Sequence, residues 1–102
     1  MKQSGGGQPP ATTPTIYNVT MTNADTEYSQ ALPAQTKKFT IHTRDGTAFR
    51  LAYVTGKVAA PTEPYFTIPT NGIKSEDYLT TSVTLYFACA AAGKIVEIEA
   101  WT

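Results

Sequence analysis

The sequence predicts an all-β protein: a single antiparallel β-sandwich or compact jelly-roll-like barrel over residues 15–102, preceded by an extended arm over residues 1–14. Three observations carry that reading. From Ile16 onward apolar and polar residues alternate in short runs, the period-two signature of strands with one covered face. Turn-forming clusters separate the runs: Asn23-Ala24-Asp25, Pro61-Thr62-Glu63-Pro64, Asn71-Gly72 and Gly93. The run with helix propensity, Ala90-Ala91-Ala92, is too short to hold a helix without tertiary help.

In chain order, residues 1–14 are dense in Gly, Pro and Thr and lack apolar periodicity, so alone they are expected to be disordered or extended. Gly5-Gly6-Gly7 gives reach, and Pro9, Pro10 and Pro14 bias the chain toward a polyproline-like form. Strands are expected at residues 17–21 and 28–31. Phe39, Ile41 and Thr43 then alternate with Lys38, Thr40 and His42, and Phe49, Leu51 and Tyr53 alternate with Ala48, Arg50 and Ala52. Between these runs Arg44-Asp45-Gly46-Thr47 carries an Asp-Gly pair suited to a tight hairpin turn. Further strands are expected at residues 65–68, 83–88 and 94–101. In the last of these Val96, Ile98 and Ala100 share one face, with Glu97 and Glu99 on the other. Seven or eight short strands with regular turns suit a sandwich or jelly roll. The expected core is Phe39, Ile41, Phe49, Leu51, Leu85, Phe87, Val96 and Ile98.

Composition narrows the functional classes. A chain of 102 residues fits one domain. Eight basic residues balance eight acidic ones with no basic cluster, which argues against nucleic acid as a partner. Charged residues make up 16%, below the roughly 25% usual in soluble globular chains. A neutral, Thr-rich surface has few charges to desolvate and little net repulsion between copies, which favours assembly. Cys89 is the sole cysteine, so no internal disulfide forms, and its apolar surroundings suggest a buried, inert thiol. The N-terminus lacks the apolar core of a signal peptide, and the longest apolar run, residues 85–92, is too short to span a bilayer. The expectation is a protein made in a cytosol, with no membrane partner. Asn18-Val19-Thr20 matches the glycosylation pattern by chance in that setting.

No reactive constellation emerges. His42 is the sole histidine, on the strand face opposite Phe39 and Ile41, and it stands 47 positions from Cys89 (89 − 42), which matches no paired metal-ligand spacing. The acidic pairs Asp25/Glu27, Glu76/Asp77 and Glu97/Glu99 read as solvated turn and strand charges rather than a cleft pair. Nucleophile-elbow, P-loop and dinucleotide motifs are absent. The expectation is no enzyme, no cofactor and no metal. Tyr17, Tyr53, Tyr65, Tyr78, Tyr86 and Trp101 are the side chains best able to anchor a protein or stack on a sugar, although more than half should pack in the core or at its edge. The residues singled out for partner contact are Gln8, Pro9, Pro10 and Pro14 in the arm, with Tyr17 and Trp101 on the domain.

Two stretches carry a resemblance. Residues 34–41 (Ala-Gln-Thr-Lys-Lys-Phe-Thr-Ile), continuing through residues 44–53 (Arg-Asp-Gly-Thr-Ala-Phe-Arg-Leu-Ala-Tyr), resemble a segment of small virion-associated proteins of tailed bacteriophages. Residues 84–87 and 93–101 resemble their C-terminal end, and with Tyr65-Phe66-Thr67-Ile68-Pro69 the similarity spans roughly the last two-thirds of the chain. These are strand-and-turn patterns without a chemical signature, and the arm lies outside them. The resemblance implies a structural β-domain fixed in many copies to a capsid or neck surface of the virion, and it supplies no catalytic residue. On that basis the expected function is a capsid decoration or cement-type protein contacting the major capsid protein and copies of itself. The alternatives are a head–tail (neck) or tail accessory protein, or a carbohydrate-binding adhesin, which would present coplanar aromatics to solvent.

Overall fold

A strand with one apolar face is stable only when a second sheet covers that face, and the structure answers that requirement with two sheets. The computed structural model describes residues 12–77, 79 and 82–102. Its strands are β1 (Pro14–Met21), β2 (Tyr28–Ala31), β3 (Lys38–Thr43), β4 (Phe49–Ala52), β5 (Phe66–Ile68), β6 (Lys74–Glu76), β7 (Thr84–Ala88) and β8 (Lys94–Trp101). One sheet has the order β1-β8-β3-β6 and the other β2-β7-β4-β5, with every pairing antiparallel. First strand pairs with last, second with seventh, third with sixth and fourth with fifth, which is a long hairpin rolled onto itself: the winding of a jelly roll.

All the expected core residues are buried, from Phe39 and Ile41 on β3 to Val96 and Ile98 on β8, and Met21, Leu32 and Cys89 join the same cluster. The buried hydroxyls are satisfied, Thr36 donating to the Pro33 carbonyl at 2.7 Å and Thr43 to the Thr47 carbonyl at 2.6 Å. Residues 90–93 form a bend and turn, with no helix.

Three sequence expectations are corrected. The Asp45-Gly46 turn does not make a hairpin, because β3 and β4 lie in different sheets. The apolar faces of Phe39/Ile41 and Phe49/Leu51 bury each other face to face, which side-by-side pairing cannot do. The local geometry agrees: a two-residue hairpin of the favoured type needs positive φ at both central residues, and here Gly46 alone has it, at φ 84°. Its amide donates to the Thr43 carbonyl at 3.2 Å and its carbonyl accepts from Asn71 N at 2.8 Å, so the turn is tied to the next crossing loop. Second, β6 was not foreseen, and Glu76, read as a turn residue, lies in it. Lys-Ser-Glu has no apolar alternation, and its strand pairing comes from β3. Third, Pro14 belongs to the domain rather than the arm. It opens β1, and the ladder runs further still, with Thr12 N and Thr13 N donating to the Thr102 carbonyl at 2.9 and 3.0 Å.

The sheets differ on their outer faces. Over β2-β7-β4-β5, the loop of residues 53–65 lays Val58 onto Ala52 and Ala88, flanked by Tyr65 and Tyr86. Over β1-β8-β3-β6 no loop packs a comparable cluster among the described residues, and Ile16 remains 66% exposed.

Candidate functional site

The open outer face of the first sheet is ordered by strand register. Across β1, β8 and β3 the partners fall into rows: Asn18–Glu97–His42, then Ile16–Glu99–Thr40, then Pro14–Trp101–Lys38. Ser75 of β6 extends the middle row beyond Thr40. A shallow hollow of about 470 Å³ lies over the first two rows, with Ile16 and Ile73 among its walls. Ile73 is 63% exposed, so two aliphatic side chains that could have been core stand in solvent beside polar rows.

The charged side chains of this face have partners. Arg44 Nε donates to Glu97 Oε2 at 2.7 Å. His42 Nδ1 lies within hydrogen-bond distance of the Thr43 carbonyl, at 3.0 Å, and Nε2 lies 3.5 Å from Glu97 Oε1. Trp101 Nε1 donates to Glu99 Oε1 at 3.0 Å, while the Lys38 ammonium stands 5.3 Å from the centre of the Trp101 ring. Each carboxylate thus accepts a hydrogen bond from a neighbouring side chain. Cys89 is elsewhere, buried at the loop end of the sandwich, where its thiol donates to the Ala48 carbonyl at 3.4 Å. Among the described residues, no three His, Cys, Asp or Glu side chains are placed to hold a metal ion.

Of the residues singled out from sequence, Pro14 and Trp101 meet in one row. Tyr17 faces the other way, opposite Ile98 and packed against the core margin. Gln8, Pro9 and Pro10 lie outside the described residues, as does Tyr78. Sequence reasoning missed Ile16, Asn18, Thr40 and Lys38 as one surface, because what unites them is register between strands distant in the chain. Asp25 and Glu27 also prove more than solvated turn charges. Asp25 pairs with Arg50 at 2.8 Å, and Glu27 accepts from Thr55 Oγ1 at 2.6 Å and Gly56 N at 2.8 Å, holding the covering loop.

At the rim, Lys74 Nζ sits 4.6 Å from the Phe66 ring centre and pairs with Glu76 at 2.9 Å, bridging the edges of the two sheets. Tyr53 meets Phe66 edge-to-face, at 82° and 6.3 Å between centroids.

At the turn after β3, Asp45 accepts from Lys94 Nζ at 2.8 Å and from Thr47 N and Oγ1 at 3.1 and 2.7 Å. These donors, Lys94 foremost, hold its carboxyl well below the ordinary 3.8, and the same bond pushes the Lys94 ammonium up. A carboxylate whose pKa falls on folding stabilises the fold above its unfolded value and loses that contribution as pH drops toward its folded value. The melting-temperature gap between wild type and Asp45→Asn should therefore be widest above about pH 5. It should narrow steadily on acidification below that, and the exposed pair should also weaken in molar salt. A gap that stays constant from neutral pH to strong acid would mean that Asp45 acts only as a neutral acceptor for the turn.

Comparison with protein-family models, curated proteins and solved structures gives no match to this chain.

Proposed function

We propose that the chain is a non-enzymatic structural protein of a tailed-bacteriophage virion, a decoration or cement-type accessory that binds the capsid and reinforces it. Its partners are the major capsid protein and further copies of itself. The observation that carries the reading is the outer face of the β1-β8-β3-β6 sheet, which no loop covers among the described residues, with exposed Ile16 and Ile73 beside carboxylates that already have partners. Covering such a face buries the two aliphatic side chains while its carboxylates keep the partners they already have, so none is left buried and unpaired. The segments that resemble small virion proteins include β3, β4, β7 and β8, the central strands of both sheets.

Jelly rolls host viral capsid and lectin domains alike, so the fold is neutral between this reading and the adhesin, and the site has to separate them. A sugar-binding face needs an accessible, flat aromatic platform. Here Lys38 stands over Trp101, Lys74 stands over Phe66, and Tyr53 and Phe66 meet edge-to-face rather than coplanar. Against an enzyme stand the engaged Glu97 and Glu99 and the separation of His42, on the open face, from buried Cys89.

The test is quantitative mass spectrometry of density-banded particles produced by the genome that encodes the chain. A copy number approaching that of the shell protein supports decoration. A ring-like copy number, far below that of the shell protein, replaces it with the neck or tail assignment, and absence from banded particles ends the virion reading.

A further inference from the structure

Each sheet of an open sandwich ends in edge strands whose outward N–H and C=O groups can pair with another chain, and natural proteins blunt such edges by shortness, charge, proline or bulges. The four edges here are β1 and β6 in one sheet and β2 and β5 in the other. β6 and β5 are three residues long and β2 four, and β6 also carries Lys74 and Glu76. β1 is different: eight residues, Pro-Thr-Ile-Tyr-Asn-Val-Thr-Met, without a charge or a break.

The ladder shows which groups on β1 are available. Thr13 and Thr102 exchange both backbone hydrogen bonds, at 3.0 and 2.9 Å, and antiparallel pairs alternate between exchanging and non-exchanging positions. With the register Thr15↔Ala100, Tyr17↔Ile98 and Val19↔Val96, the backbones of Thr15, Tyr17 and Val19 face β8. Those of Ile16, Asn18 and Thr20 face outward. Among the described residues β1 pairs with β8 alone. Pro14 takes an outward position too, where its missing N–H leaves the β8 ladder intact, the placement proline requires in a strand.

We propose that this edge binds β1 of a second copy of the chain, antiparallel about a two-fold axis at Asn18, so that two four-stranded sheets become one continuous eight-stranded sheet. The strand is complementary to itself in that register. On the open face Asn18 meets its own symmetry mate, amide to amide, and Ile16 stands opposite Thr20 of the partner subunit. On the core side Tyr17 stands opposite Val19 of the partner subunit, an aromatic–β-branched pair of the kind that stabilises sheets, and both are half-buried in the single chain with flanks left to cover. No charged side chain lies anywhere along the strand, so the two-fold sets no like charges against each other. The interface is isologous and closes at two copies. It rests on β1 alone and does not depend on the virion reading.

Sedimentation equilibrium on the purified full chain tests it. The wild type should show a concentration-dependent mass rising to twice 11.0 kDa. Asn18→Pro removes one outward donor per chain that the single chain does not use, and should raise the dissociation constant on the order of tenfold or more. Asn18→Lys, which sets two ammonium groups across the axis, should do the same should the proline variant fail to fold by circular dichroism. Ser29→Lys, on the β2 edge, should leave dimerisation unchanged. Asn18→Cys should form an intermolecular disulfide on oxidation, because partners at that position lie about 5.5 Å apart between Cα atoms, within disulfide reach. A wild type that stays monomeric at every concentration overturns the proposal. So does a dimer that folded Asn18→Pro and Asn18→Lys leave intact, and a monomer found abundantly in particles would end this proposal while leaving the virion reading standing.

Discussion

Leu51→Ala should lower the unfolding free energy by about 2–5 kcal/mol, the range for a fully buried leucine that leaves a cavity behind. Leu51 has no exposed surface and lies on β4, flanked in register by Phe87 of β7 and Phe66 of β5. β4 and β7 are inner strands held by backbone ladders on both sides, so they collapse poorly into a void, which pushes the cost toward the upper half of the range. For a domain of about 100 residues each kcal/mol moves the midpoint by roughly 4–8 °C, so thermal denaturation should show a drop on the order of 10–30 °C. Leu51→Met keeps most of the volume and should cost less than about 1.5 kcal/mol. A loss for Leu51→Ala no larger than for Leu51→Met would mean that this position is not the packed centre the structure places there.

That prediction could be framed from sequence alone, and the reason is physical. Leu51 belongs to an alternating run, and period two fixes which side chains point inward whatever the strand pairs with. The same local rule placed Phe39, Ile41, Val96 and Ile98 correctly. It could not say which strands become neighbours. The Asp45-Gly46 turn has the residues of a hairpin, yet β3 takes β6 and β8 as partners and β4 takes β5 and β7, because face-to-face burial of two apolar strands outweighs the convenience of a short ladder. β6 was invisible for the opposite reason: Lys74-Ser75-Glu76 has no pattern of its own, and its strand geometry comes from β3.

The candidate site was less legible than the core. Its rows join residues more than fifty positions apart, such as His42 with Glu97 and Asn18 with Glu97, and only the completed winding sets those distances. Trp101 could be picked out because a tryptophan is among the side chains best able to anchor a partner, but the Lys38 ammonium over its ring follows from the β3–β8 register. The openness of the face was likewise unreadable. It depends on where the loop of residues 53–65 goes, and that loop covers the other sheet.

Arg50 fastens the middle of the covering loop, as Glu27 fastens its start, and Arg50→Met should cost about 2–4 kcal/mol. Its side chain is 16% exposed and runs along the outer face of β4, where Nε donates to the Val58 carbonyl at 2.6 Å and Nη2 reaches Asp25 Oδ1 at 2.8 Å. Val58 is wholly buried, so removing the guanidinium strands its carbonyl without a partner. The lost charge-assisted bond and the desolvated acceptor each weigh on the order of 1–3 kcal/mol. Methionine retains the apolar stem that covers the sheet, which confines the change to the donors. Asp25 is 57% exposed, so its half of the ion pair is screened, and Asp25→Asn should cost less than about 1 kcal/mol. Chemical denaturation of the two variants and their double mutant measures the contrast, and limited proteolysis should cut Arg50→Met within residues 53–65 under conditions that leave wild type whole. If Asp25→Asn proves as costly as Arg50→Met, with full coupling in the double mutant, the surface ion pair rather than the buried carbonyl bond fastens the loop.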